Sequence, residues 1–444
     1  MKSTTLNSFA PANYSQADIN SDKARALPFF ILMSTAGLPL NYKLEMARPM
    51  TVADSAELSL AATASQNTGN SVLFVAFICG LYLWAGWTFV RKPKVVATLL
   101  SRQWPVFLLM LFILLSTLWS HTADKVLINS VHNIGIMLIA ISAALRYRSD
   151  PWSFPKHLGY VVGINLLFHL AAIILIPSYA IDWQGRWHGL SPHPNTLGAI
   201  AFVVFWCNAA VLIFRNNDRY HLHLAFVLLA MVMMIGANSM TSIMSTAITF
   251  LIMLSIKSTL HFDRRHLLYL TTLTLCLAVS IAALFLTDIL KLDMLFNLIG
   301  RDSNLTGRVS LWESALKAIS ENFLAGWSFD DNTHLIRVSN MPYLTFHNGY
   351  LDLAVSGGLI ALILFFLILL TTLKDYLSSS RVGNVILPVS LSFVITYIIN
   401  NFTESTLVSP RSQMWIIFIT LVFLGSCRYR SASTISKISI KNFA

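Results

Sequence analysis

Arginine, histidine and asparagine crowd into DWQGRWHGLSPHPNTLG, Asp182 to Gly198, which runs straight into an apolar segment. Arg186 is a planar fork of donors matched to phosphate oxygens, and it stays charged at physiological pH. With His188, His193 and Asn195 nearby, and glycines and prolines shaping the turns, two readings fit. The stretch is a cationic, hydrogen-bonding pocket wall, or it is an ordinary surface loop with Trp183 and Trp187 in an interfacial belt.

A second stretch opens with NLIGRDSNLTGR and ends with YLTFHNGYLDLAVSGG. Arg301 and Arg308 flank a short polar turn, and Thr306-Gly307 can introduce a helix beginning near Arg308. Helix N-termini attract anions. An arginine in the first turn is mildly unfavourable for the helix alone, which favours a ligand-binding role. His347 and Asn348 precede an apolar run holding the pair Gly357-Gly358. Asn348 reads as an N-cap and His347 as an interfacial residue; alternatively, His347 does base or phosphate-binding work. Asp352 and Glu404 are acids at or near membrane depth, where such groups are costly and default functional candidates.

No metal motif is convincing. His188 and His193 are five apart in a Pro/Gly loop without nearby acids or thiols, which is poor zinc spacing. P-loop, Rossmann and nucleophile-elbow patterns are missing. An enzyme built on these residues is expected to use no metal or cofactor and to draw on an already activated substrate.

The elements that must position these residues are apolar helices. The 444-residue chain is 55% hydrophobic and 11% charged, against about 25% charged in soluble domains. An all-α, polytopic membrane protein of about twelve spans is expected. The spans fall near 27–42, 71–90, 104–120, 127–145, 159–177, 196–214, 224–238, 242–256, 267–287, 350–372, 385–400 and 413–427. With the N-terminus cytoplasmic, inside segments hold 21 of the 31 Lys and Arg residues. The positive-inside rule then puts both termini in the cytoplasm. The net charge of +11 is thus an orientation signal, and nucleic acid drops out as a partner. Segments 43–70, 178–195, 288–349 and 401–412 lie outside.

The organisation is a cytoplasmic tail (1–26), a transmembrane domain (27–427) with its long periplasmic loop at 288–349, and a second cytoplasmic tail (428–444). Cys79, Cys207, Cys276 and Cys427 sit in or at the ends of apolar runs, so neither a disulfide framework nor a thiolate metal site is expected. Within the long loop, LTGRVSLWESALKAISENFLAGW reads as an amphipathic helix. Trp312, Ala315, Leu316, Ile319 and Phe323 form its apolar side, with Glu313, Lys317, Ser320 and Glu321 opposite.

Taken in order, WS (119–120), RWHGLSPHPNTLG (186–198), GRDSNLTGRVSLW (300–312), AGWSF (325–329), HNGYLDLAVSGG (347–358) and NNFTES (400–405) resemble the O-antigen ligase and polysaccharide polymerase family of bacterial membrane proteins (Wzy/WaaL-like). Their wording is most similar to exopolysaccharide polymerases of the succinoglycan production type. Those proteins usually show a lysine where this chain has Pro194.

The resemblance implies a donor glycan on undecaprenyl diphosphate at the periplasmic face of the inner membrane. Transfer goes to an acceptor sugar hydroxyl, with inversion and without a metal. On that reading Arg186 and Arg308 hold the diphosphate with Arg301 in support, His347 organises or deprotonates the acceptor, and Asn348 orients it. His193, Asn195, Trp312 and Glu404 complete the expected substrate-binding set. The helix after Gly307 would form a partial lid carrying Arg308.

Three functions remain at this point, in order: a polymerase using a second lipid-linked repeat unit, a ligase using the lipid A core, and a transporter or flippase. A transporter should carry its charges near the midplane on broken helices, whereas these residues gather in outside loops. Expected partners are membrane lipid, the lipid-linked glycan, an acceptor glycan or lipid A core, a flippase and a chain-length regulator.

Overall fold

A computed structural model describes residues 25–35, 72–215, 219–259, 308–330, 345–379 and 386–427. The expected segment 43–70, the span at 267–287, Arg301 with the rest of 260–307, and the tail 428–444 lie outside the described residues.

Those residues are helical: α1 (Leu27–Ser34), α2 (Val72–Arg91), α3 (Pro93–Arg102), α4 (Trp104–Leu115), α5 (Ala123–Tyr147), α6 (Ser153–Leu175), the single turn α7 (Pro177–Ala180), α8 (Pro194–Phe214), α9 (Tyr220–Gly236), α10 (Met240–Thr259), α11 (Arg308–Glu321), α12 (Gly349–Ser379), α13 (Ile386–Asn400) and α14 (Gln413–Ser426). Extended pairing among the described residues is limited to one bridge, Ile181 to Trp187. Helices occur at eleven of the twelve expected spans. Five of them (α5, α6, α8, α10 and α12) are long and apolar enough to cross a bilayer by themselves. The protein is therefore an all-helical membrane protein.

Shorter helices reach their places by packing. At fourteen residues, α14 is about 21 Å long, less than the hydrocarbon thickness. It is apolar on every side and every residue of it is buried, as expected of a helix enclosed by other helices. It lies against α5, while α8 packs between α6, α9 and α10. Two indole N–H groups in this core find partners: Trp415 Nε1 donates to Asn133 Oδ1 at 3.1 Å and Trp206 Nε1 to Ser392 Oγ at 3.2 Å. Large apolar side chains face outward where lipid would meet them, including Leu83, Val90 and Leu175.

The longest helix, α12, is broken. Gly358 takes φ 60° and ψ −159°, outside the helical region. A break inside an apolar span frees backbone groups that lipid cannot satisfy, and here the chain after α11 supplies partners. Trp327 N donates to Val355 O (2.8 Å), Ser328 N to Ser356 O (2.9 Å), Leu359 N to Phe323 O (2.9 Å) and Ile360 N to Leu324 O (3.2 Å). Only glycine fits. A Cβ on Gly358 would strike the Leu324 carbonyl, and one on Gly326, itself at φ 66°, would lie 2.5 Å from Ser356 backbone atoms. The small pair in the sequence is thus the socket for the AGWSF turn.

The amphipathic helix exists as α11, beginning at Arg308, but its buried face differs from the expected one. Leu311, Ala315 and Ala318 are buried, with Trp312 and Ile319 packed beside them against Phe346 and Val355. Leu316 and Phe323 are more than half exposed. The face centres on Ala315, and its small side chain lets α11 lie close against α12. Leu316 falls at the margin of that face and turns outward, and Phe323 lies in the turn past the helix end.

Candidate functional site

One end of the bundle gathers the N-termini of α5, α8, α10 and α12 and the C-termini of α9 and α13. Pro194 begins α8, a position where its missing N–H and fixed φ cost nothing. His193 is the N-cap, with Nδ1 accepting from Asn195 N at 3.1 Å. Proline is accommodated here because the position is the first residue of a helix, and its neighbours hold the loop. Below the loop, buried His169 accepts from Leu190 N at 3.1 Å. Gly189, at φ 59°, lets the backbone pass over that ring, since a Cβ would come within 2.8 Å of His169 Nδ1.

Helix α8 then presents Asn195 as a two-ended connector. Arg186 Nη2 donates to Asn195 Oδ1 at 2.9 Å, and Asn195 Nδ2 donates to Glu404 Oε1 at 2.9 Å. Arg186 is held from behind by Nε donating to Ala237 O at 3.2 Å, at the end of α9. Thr241, in the first turn of α10, donates its hydroxyl to the same Glu404 oxygen at 3.3 Å. All four side chains are half-buried. Trp187 packs on Gly236 and belongs to the protein core, while Trp183 stays exposed.

Glu404 also connects to the histidine segment. Gly349 N donates to Glu404 O (3.0 Å) and Asn401 O (2.8 Å). Just before it, Asn348 caps α12, its Oδ1 accepting from Tyr350 N (3.0 Å) and Leu351 N (3.2 Å). The cap fixes His347 in the left-handed region, φ 50°, with a half-buried side chain. Such conformations cost about 1–3 kcal/mol and collect at functional sites. Asp352 Oδ1 accepts from Phe346 N at 3.0 Å, so this acid shapes the turn carrying His347.

Trp312 Nε1 donates to Phe346 O at 3.0 Å, which fastens α11 to that turn. Arg308 lies on the same helix four residues earlier, about 6 Å along its axis. Sequence reading missed two contributors: Thr241, and buried Asp330, which accepts from the Thr122 hydroxyl. The WS motif was a signal for the latter, because Ser328 Oγ donates to Ser120 Oγ at 2.8 Å beside it.

The architecture is that of a helical membrane protein with a hydrogen-bonded polar cluster at one end of the bundle. Residues 224–366 match the family model described as "O-Antigen ligase", a span that includes α11 and His347. The chain is 24% identical over 321 residues to the exopolysaccharide production protein ExoQ of Rhizobium meliloti (strain 1021), covering 67% of this chain and 72% of that protein. Together these matches support assignment to the O-antigen ligase and polysaccharide polymerase family, and with it a polysaccharide ligase or polymerase role.

Proposed function

We propose that the protein transfers glycan from undecaprenyl diphosphate to an acceptor sugar hydroxyl at the periplasmic membrane face, and that it acts as a polymerase of repeat units. The observation that carries this reading is the Arg186–Asn195–Glu404 chain joined to the His347 turn. In the reaction the acceptor oxygen attacks the anomeric carbon from the face opposite the diphosphate. The glycosidic bond forms as the carbon–phosphate-oxygen bond breaks, and the hydroxyl proton leaves with a base. Donors aimed at the leaving oxygen stabilise the charge developing there, which is the task of Arg186 and Arg308, with Arg301 in support. His347 takes the acceptor proton. Asn195, Thr241 and Glu404 hold Arg186 in place, and Asn348 and Trp312 hold His347.

Orientation supports the periplasmic assignment. Arg91, Arg102, Arg146, Arg148, Arg215, Arg219, Lys257 and Lys374 all fall at helix ends opposite the site, which by the positive-inside rule is the cytoplasmic side. The similarity to an exopolysaccharide production protein favours polymerase over ligase. The test is to delete the gene and size lipid-linked and lipid A-linked glycan separately. Single repeat units on the carrier with long polymer lost are expected. Full-length polymer stranded on the carrier beside a bare lipid A core would make the protein a ligase. Unchanged glycan in both pools would refute both enzyme readings.

A further inference from the structure

A second charged feature lies at the far end of the bundle. Helix α5 separates the two; its 25 residues make about 37 Å at 1.5 Å per residue. There, α2 ends, α3 begins and α5 ends around one wide-open surface cavity of about 480 Å³, lined by Arg91, Lys92, Pro93, Lys94, Val95 and Arg148. Four of those six residues are cationic and none is acidic.

The surroundings tell what kind of anion fits. Helix α3 bends 88° away from α4, so if α4 crosses the membrane, α3 lies along its surface. Val96 and Leu99 of α3 point into the core, while Lys94, Ala97, Thr98 and Ser101 face out. That is the pattern of an interfacial amphipathic helix. The Arg91 guanidinium lies 5.5 Å from the Trp87 ring centroid. Trp87 and Val90 are 54% and 68% exposed on the outer flank of α2. The cavity therefore has a cationic floor that continues into an apolar, outward-facing wall.

Part of this charge is used locally. Arg91 and Arg148 stand at the C-terminal ends of α2 and α5, each worth about half a negative charge. The acid nearest in sequence to Arg148, Asp150, accepts from the Ser153 hydroxyl and is outside the lining. The first turn of α3 has no side-chain cap, so its positive helix end adds to the cationic lining.

We propose that this cavity binds the headgroup phosphate of an anionic phospholipid, with the acyl chains running along the Trp87–Val90 flank. The site is separate from the glycan-transfer site and does not depend on that reading. The test is lipid retention by the purified full-length protein in detergent, followed by native mass spectrometry with phosphatidylglycerol, phosphatidylcholine and inorganic phosphate as probes. The wild type should retain phosphatidylglycerol in preference to phosphatidylcholine. Each basic side chain at a charged membrane surface is worth roughly a fivefold change, so Lys94→Gln with Arg148→Gln should weaken retention about 25-fold. The charge-conserving pair Lys94→Arg with Arg148→Lys should retain it to within about threefold. Equal retention of both lipids by the wild type, or unchanged retention by the neutral pair, would overturn the proposal. Displacement of the lipid by excess inorganic phosphate would also overturn it, because the site would then serve a soluble anion. If the neutral pair fails to fold, lipid preference in the wild type and the charge-conserving pair still decides.

Discussion

Arg186 and Glu404 each hold one end of the Asn195 carboxamide, Arg186 donating to its oxygen and Glu404 accepting from its nitrogen, both at 2.9 Å. This fixes which way the amide faces. It also ties the loop before α8 to the turn after α13, so the guanidinium is aimed by residues distant in the chain. Replacing Asn195 by Ala keeps the Arg186 bond to Ala237 but removes the one to Asn195. Glycan transfer should fall about 100-fold, the scale of a 1 Å misplacement at a reacting centre. Expression and detergent-solubilised yield should stay near wild type. Asn195→Asp should be worse, since it puts a second carboxylate against Glu404. Steady-state transfer rates of the purified variants check both.

Glu404 is predicted to act through its oxygen atoms as an acceptor. Glu404→Gln keeps an oxygen for Asn195 and Thr241 and should retain transfer to within about tenfold. Glu404→Ala leaves the Asn195 amide without its acceptor, a loss of about 1–3 kcal/mol, and should lower both thermal midpoint and rate. Comparison of the two variants by thermal denaturation and transfer assay separates hydrogen bonding from charge.

The break in α12 gives a stability prediction with opposite signs at two glycines. Gly358→Ala adds a Cβ against the Leu324 carbonyl at φ 60°, and backbone cannot yield as a flexible side chain does. A loss of roughly 3 kcal/mol or more is expected from strain and overpacking together. Gly80→Ala, inside α2 with nothing within 4 Å of the added Cβ, should be neutral or stabilising by up to about 1 kcal/mol. Thermal unfolding in detergent reads both.

Helix positions were largely legible in the sequence, because an apolar run of span length has few alternatives to a helix. The apolar side of α11 is legible only in part: Trp312, Ala315 and Ile319 pack as expected, but Leu316 and Phe323 turn outward, because hydrophobicity alone cannot tell a packed face from one turned outward. Arg186, Asn195, Glu404 and His347 could be picked out by type and by their place in polar segments. Their connection could not, since Asn195 and Glu404 are adjacent only after α8 and α13 have packed. Likewise Gly357-Gly358 signals a small-residue position, but a broken helix filled by residues 323–328 becomes visible only once that segment has packed against it.

Trp312 is predicted to position His347 rather than to bind sugar. Trp312→Phe retains the ring but removes the N–H that reaches Phe346 O. Stability should fall by about 0.5–1.5 kcal/mol, with a larger proportional loss in kcat than in KM, because the acceptor-facing turn loosens. Substantially raised KM with unchanged kcat would instead indicate direct contact with substrate.

If guanidinium groups carry the diphosphate charge, chelation should be harmless. Transfer by purified protein should be unchanged in excess EDTA, while Arg186→Ala or Arg308→Ala should each lower it by about 100-fold or more, the scale of losing one preorganised donor. Loss of activity in EDTA with recovery on adding magnesium would require a metal in the mechanism.

The most direct test uses the purified protein in lipid vesicles with undecaprenyl-diphosphate-linked repeat unit as sole substrate, sizing the lipid-linked glycan over time. Wild-type protein should convert single units into longer carrier-linked chains. Asn195→Ala, folded to the same thermal midpoint within a few degrees, should do so about 100-fold more slowly. Full-rate chain growth by the folded Asn195→Ala variant would contradict the account.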